Sequence, residues 1–317
     1  MKKILIHIGF GKTASTLFQQ KIFPQHPEIF YLGGIRAINR ESEKPILRNV
    51  YRLLRAIVSH DSCRFDLVYW KTFYLEAIYP VLKKDQLNLI SEEWLSLTPV
   101  LLSGGDQGLI AERLCQVFGK EIKILIVIRN QIDVLNSLFS NHSNFIIQKY
   151  TRQNPWSVRH QIELKSFKKI LINTEDYGIM SKYKYHDLIK KYKSLFEQNV
   201  VVKIYEDFSI NPNEFLKKLA EDLEVSHDQL IENMPAHRIK ASVNKNKIIL
   251  KMKTSLASIL KKQIFTNKDS FSGLYYGLKS ISDLEVRNII KNYYGSDNRE
   301  LSKEINVKLS EYGYESN

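Results

Sequence analysis

Four near-continuous apolar runs mark this chain: "KILIHIG" (3–9), "LNLIS" (87–91), "IKILIVIR" (122–129) and "VVVKIYED" (200–207). Unbroken Ile/Val/Leu runs of this length predict strands buried on both faces, the signature of a parallel sheet. Helical patterns follow from Thr13, over "NQIDVLNSLFSNH" (130–142) and over "NPNEFLKKLAEDLEV" (211–225). Another helical stretch precedes residue 87. This alternation predicts a three-layer α/β fold, a central parallel β-sheet flanked by helices.

Two regions break the rhythm. Residues 35–85 read as a helical insertion between strands, rich in Arg and Tyr. Residues 140–185 carry "NFIIQKYTRQNPWSVRH" and "NTEDYGIMSKYKYHD", aromatic and polar loops of the kind that shape a substrate mouth. Beyond them, 236–317 is Lys-rich and mostly helical, with 250–317 expected to be a basic helical part. No linker interrupts the pattern, so residues 1–317 are expected to form one domain.

Composition narrows the picture. At 317 residues and 44% hydrophobic, the chain can bury a sizeable core. Two cysteines, Cys63 and Cys115, form no CxxC pair, which argues against a disulfide scaffold or a thiolate zinc site. The apolar run after Met1-Lys2-Lys3 is too short for a signal-peptide core, and no apolar stretch is long enough to span a membrane. A cytoplasmic location is expected. The formal charge of +13 points to anionic partners without choosing among them. Lysines in runs such as "YHDLIKKYKSLFEQ" read first as a solvated helix face.

The first run feeds "GFGKTAST" (9–16), a small-residue turn entering a helix. Helix starts favour anions, because their first N–H groups lack partners and the dipole is positive there. Gly9 and Gly11 allow close backbone approach, Lys12 adds a point charge, and Thr13, Ser15 and Thr16 add hydroxyl donors. The alternative is a plain strand–helix turn with an outstretched lysine. A Walker A loop fails, since its first glycine falls on Ile6. The dinucleotide fingerprint fails too, since its third glycine falls on Ala14.

"HIGFGKTASTLFQQKIF" resembles the 5′-phosphosulfate-binding loop of sulfotransferases that use 3′-phosphoadenosine 5′-phosphosulfate (PAPS). That resemblance implies a P-loop-like fold and a PAPS contact made by Gly9, Gly11, Lys12, Thr13, Ala14, Ser15 and Thr16. A second segment, "RNQIDVLNSLF" (129–139), resembles the family's 3′-phosphate unit, with Arg129 and, eight residues on, Ser137 as the phosphate clamp. On the residues alone, Arg129 could instead pair with Asp133 while Ser137 simply packs. The stretch 183–225 resembles the family's helix–strand–E-[DN]-[LF] segment. The family's R-x-x-K-G-x-x-G signature is absent; "HRIKASVNKNK" (237–247) stands in the comparable region.

In such an enzyme a sulfuryl group passes in line between two oxygens, so catalysis is positioning and charge stabilisation. Lys12 would act on the leaving group, and no metal is required; no His/Asp cluster at metal spacing is visible. The acceptor needs a base. "LNLISEEWLS" (87–96) offers Glu92 and Glu93; the resemblance maps the family's acid onto Glu93, while a solvated acidic helix start is the plain alternative. His142, in "FSNHSN", is the rival base. His7 reads as a core or loop-supporting residue.

The expected activity is sulfuryl transfer from PAPS to a hydroxyl, or an amine, of a glycan or small metabolite. Two other readings stay open. One is a nucleotide-dependent phosphotransferase. The other is a basic nucleic-acid or membrane-surface binding protein, supported by the amphipathic "NKNKIILKMKTSLASILKKQIF" (244–265). No nucleic-acid motif accompanies it, so a nucleic-acid partner is not expected.

Overall fold

A computed structural model describes residues 2–34, 44–59, 63–96, 106–135, 137–138, 180–232 and 284–314. Its centre is a five-stranded sheet of β1 (Ile4–Gly9), β2 (Ile29–Tyr31), β3 (Leu87–Glu92), β4 (Lys123–Ile128) and β5 (Val200–Ile204), ordered β2-β3-β1-β4-β5. Every neighbouring pair is parallel. The four apolar runs supply β1, β3, β4 and β5. The edge strand β2 is only three residues long, and its apolar run, Ile29 to Leu32, is too short to announce it.

Side chains alternate between two cores, as the two-residue period of a strand requires. Ile4, Ile6 and Ile8 of β1 and Ile124, Ile126 and Ile128 of β4 face one layer of helices. Leu5 of β1 and Leu125 and Val127 of β4 face the other. The first layer includes the helices Pro45–Ser59, Leu67–Phe73, Gln107–Phe118, Tyr185–Phe196 and Leu284–Glu304. The second includes the helical run from Ser15 to Gln25 and the helices Pro212–Leu223 and His227–Glu232. The fold is therefore three-layered α/β. The described part of the 35–85 insertion is helical as expected, and its Leu53, Leu54, Ile57, Trp70 and Tyr74 pack under the sheet.

One boundary needs correction. Residues 180–185 are no loop: Met180, Tyr183 and Tyr185 are buried, and Tyr185 opens a helix. Of the expected basic C-terminal part, 284–314 is described, and it is mostly helical. It carries five acidic and five basic residues and buries Tyr294, Leu301, Leu309 and Tyr314 in the first core. Its sequence hides this, because a long helix with interspersed charges reads as solvated. The amphipathic 244–265 lies outside the described residues.

Several lysines are engaged within the protein. Lys3 and Lys123, at the amino ends of β1 and β4, meet Glu224 at 2.8 and 3.1 Å. In the "YHDLIKKYKSLFEQ" helix, Lys191 bonds Glu112, and Lys193 bonds Glu304 at 2.7 Å. Leu188, Ile189, Tyr192 and Phe196 occupy the buried face of that helix. No helix among the described residues is long and apolar enough to cross a membrane.

Candidate active site

In open parallel sheets ligands bind beyond the carboxyl ends of the strands, where the strand order reverses direction. Here β1 is that point, flanked by β3 and β4. The strand ends, turns and helix starts beyond these three strands hold the described candidate residues, Ser137 lying further along the helix after β4.

The turn after β1 is held from within. Phe10 is fully buried against Tyr183 and Tyr185, with ring centroids 6.0 and 5.1 Å away. Thr13 is also buried, and its hydroxyl donates to the Phe10 carbonyl at 2.7 Å. Lys12 and Ala14 adopt φ of 71° and 62°, left-handed conformations that cost a side-chain-bearing residue about 1–2 kcal/mol each. The left-handed Ala14 precedes the right-handed start of the helical run at Ser15. Such an alternation of hand turns successive N–H groups toward one side, the concave arrangement that holds anions. The Ala14 carbonyl accepts from Leu17 and Phe18 at 2.8 and 3.2 Å, so the helix itself provides no acceptor for the N–H groups of Ser15 and Thr16.

The three hydroxyls expected as donors behave differently. Thr13 spends its proton on the turn, and Ser15 donates to Glu93 Oε1. Thr16 is exposed. Gly9 is needed for this packing: a Cβ there would lie 3.1 Å from Glu93 Cγ and 3.4 Å from Ser15 Cβ.

The turn after β3 separates the two acids. Glu92 is the last strand residue, buried, and its Oε1 accepts the Trp94 N–H at 2.9 Å. Glu93 opens a short 3-10 turn and is the acid that meets the β1 loop. Ser96 pins the two together, its hydroxyl 2.8 Å from both the Gly9 and Glu93 carbonyls. His7, fully buried in β1, supports this turn from below: its Nδ1 is 2.7 Å from Ser91 Oγ. Gln19 donates to the same Ser91 hydroxyl at 3.1 Å. Burial lowers the His7 pKa from 6.5 to about 3, so the ring is neutral. Its edges abut Phe18 and Phe23.

The turn after β4 begins with Arg129. Its Nη1 donates to the Lys12 carbonyl at 2.7 Å, and its guanidinium lies 4.4 Å from the Tyr205 ring centroid. Asp133 is 3.7 Å from Nη2, so the ion pair foreseen as an alternative is present, but loosely. The Arg129 Nε is buried without a hydrogen-bond partner among the described residues. Its carbonyl accepts the Tyr185 hydroxyl at 2.8 Å. Asn130 caps the following helix, its Oδ1 accepting the Ile132 N–H at 2.9 Å. Gln131 exchanges amide hydrogen bonds with Asn298 at 2.7 and 3.2 Å. Ser137 is partly buried two turns along this helix. His142 and 237–247 lie outside the described residues.

Sequence reasoning missed the supporting ring: Tyr185, Tyr205, Asn298, Tyr312 and Tyr314. Only Glu206 and Asp207 carried a signal, through the "YEDF" stretch after β5. The structure also gathers His186, Asp187 and Asp297, whose candidate ligand atoms lie within 4.8 Å of one another. Asp297 is remote in sequence, so spacing could not announce this grouping. Asp297 Oδ2 accepts the N–H groups of Tyr185 and His186 at 3.0 and 3.3 Å, capping that helix from outside.

No protein-family model matches the chain, and no curated protein matches it by sequence. Among solved structures, it is similar to a sulfotransferase from Alicyclobacillus acidocaldarius, with a TM-score of 0.51 and 12% identity over 99% of each chain. A sulfotransferase domain from the curacin biosynthetic pathway also matches, with a TM-score of 0.43 and 15% identity over 76% of this chain and 81% of that one. At such identity the first likeness is one of fold.

Proposed function

We propose that this protein transfers a sulfuryl group from PAPS to a hydroxyl, or an amine, of a glycan or small metabolite. The observation that carries the reading is convergence: Arg129 bonds the Lys12 carbonyl, and Ser15 bonds Glu93. Three sequence-distant stretches thereby meet beyond β1, β3 and β4. The fold likeness agrees with this reading.

The residues present suit a polyanionic nucleotide. The loop offers N–H groups of Ser15 and Thr16 outside the helical ladder, the Thr16 hydroxyl and the Lys12 cation. Arg129 offers a buried Nε–H that has no partner among the described residues. When bound, PAPS would supply the activated sulfuryl group. Gly9, Gly11, Thr13, Ala14 and Ser15 shape the cradle; Lys12 and Thr16 stabilise negative charge beside it; Arg129, with Ser137, holds a second phosphate. Glu93 accepts the acceptor's proton, with His142 as the rival for that role. Glu93 is 6% exposed, so the acceptor group must enter a nearly closed pocket to reach it.

Calorimetric titration with adenosine 3′,5′-bisphosphate tests the reading. Tight binding that is unchanged by magnesium supports it. Binding that requires magnesium favours a phosphotransferase, and no binding overturns the PAPS reading. A screen of hydroxyl and amine acceptors with labelled donor would then find the substrate.

A further inference from the structure

Two consecutive acids, Glu206 and Asp207, follow Tyr205, the residue whose ring carries the Arg129 guanidinium. Glu206 is close enough to Arg129 for their charges to interact. An acid so placed ordinarily pairs with the arginine, and pairing would spend charge that an anionic ligand needs. In this protein the Glu206 oxygens are engaged elsewhere. Oε1 accepts the Asn130 N–H at 3.0 Å, and Oε2 accepts the Tyr314 hydroxyl at 3.3 Å. Asp207 Oδ1 accepts the Tyr312 hydroxyl at 2.7 Å.

Both tyrosines belong to Leu309–Tyr314, which runs against the β4 turn. Asn130 Nδ2 donates to the Tyr312 carbonyl at 3.3 Å. Gly313 between them has φ 76°, and a Cβ there would lie 3.2 Å from Asn130 Nδ2, so only glycine fits easily. Tyr314 is 2% exposed, so its hydroxyl has little access to water as an alternative partner.

We propose that the segment Leu309–Tyr314 is a positioning element of the anion site. Its Tyr314 hydroxyl holds Glu206 off the Arg129 guanidinium, which Asp133 meets only loosely at 3.7 Å, so Glu206 does not add a second acid in competition with the second phosphate of the nucleotide; Tyr312 fastens the strap through Asp207. The inference rests on the nucleotide reading given above. It makes Tyr314 and Glu206 determinants of preference for a bisphosphate over a monophosphate.

The test is calorimetry with adenosine 3′,5′-bisphosphate and adenosine 5′-monophosphate. Tyr314→Phe deletes one buried oxygen and frees Glu206 to pair with Arg129. Its affinity for the bisphosphate should fall about tenfold, while that for the monophosphate stays within about twofold. Adding Glu206→Gln should restore bisphosphate binding to within about threefold of wild type, because the amide keeps the Asn130 bond but cannot neutralise Arg129. Should Tyr314→Phe fail to fold, Tyr312→Phe, which loosens the same strap at a less buried site, reads the same effect with and without Glu206→Gln. Equal losses for both nucleotides, no loss, or no rescue by the amide overturn the proposal while leaving the nucleotide reading intact. A wild-type protein that binds neither nucleotide overturns both.

Discussion

The Arg129 guanidinium donates to the carbonyl of Lys12 at 2.7 Å across 117 positions of sequence. One side chain thus both faces the expected second phosphate and fixes the loop expected to hold the first. Arg129→Ala should weaken binding of adenosine 3′,5′-bisphosphate by about 10²-fold and of adenosine 5′-phosphosulfate by only a few-fold, the latter from a loosened loop. Arg129→Lys keeps the charge but loses the fork, and should recover little. Equal losses for both ligands would assign Arg129 to loop support alone.

Lys12 occupies a left-handed conformation that favours glycine, so its side chain is kept at the cost of strain. Lys12→Gly should therefore leave thermal stability unchanged or raise it by about 0.5–1 kcal/mol. Turnover should nevertheless drop by about 10²-fold or more, as when one charge-stabilising donor is lost. Melting curves beside single-turnover rates check both halves. Retained activity in the more stable variant would remove Lys12 from the chemistry.

Glu93 is tied to Ser15 and stacked on Gly9, whereas Glu92 holds the Trp94 amide. Glu93→Gln preserves that packing and removes the proton acceptor. Nucleotide affinity should change little while kcat collapses, which marks an interaction made in the transition state. Glu92→Gln should do much less. Gly9→Ala should mimic Glu93→Gln in part by displacing the Glu93 side chain. If His142→Ala abolishes turnover and Glu93→Gln does not, the base is His142.

His7 sets a pH dependence of stability. Its pKa is lowered from 6.5 to about 3 in the fold, so the unfolded chain binds a proton that the folded chain refuses. Stability from this group is complete above pH 6.5 and falls as pH drops toward 3, by about 1.4 kcal/mol per unit within the window. Asp297 opposes it: burial raises its pKa from 3.8 to about 6, which adds stability as pH falls through that range. His7→Asn keeps a group in reach of Ser91 and cannot titrate. Denaturant melts between pH 7 and 5 should show a flatter or reversed slope in that variant; an unchanged slope would place the titration elsewhere.

The strands and the two loops beyond β1 and β4 were legible because their signals are local. An apolar run names a buried strand, and "GFGKTAST" concentrates glycines, a cation and hydroxyls in one turn. Arg129 was legible as the residue at a strand end. What escaped was everything built by distant partners. No spacing rule joins Gln131 to Asn298 or Asn130 to Tyr312, and tyrosines in a charged helix read as surface. Nor does sequence tell which hydroxyl in a loop is already spent; Thr13 closes the turn only because Phe10 is locked between Tyr183 and Tyr185.

The strap of Leu309–Tyr314 also has a kinetic meaning. All five strands, Arg129 and Glu206 precede the strap in the chain, and Tyr314 follows Glu206 by 108 positions. During synthesis the strands and both charged groups therefore emerge before the hydroxyl that holds Glu206 in place. On the reading proposed above, competence to bind a nucleotide waits for the strap, the last described stretch of the chain to be made.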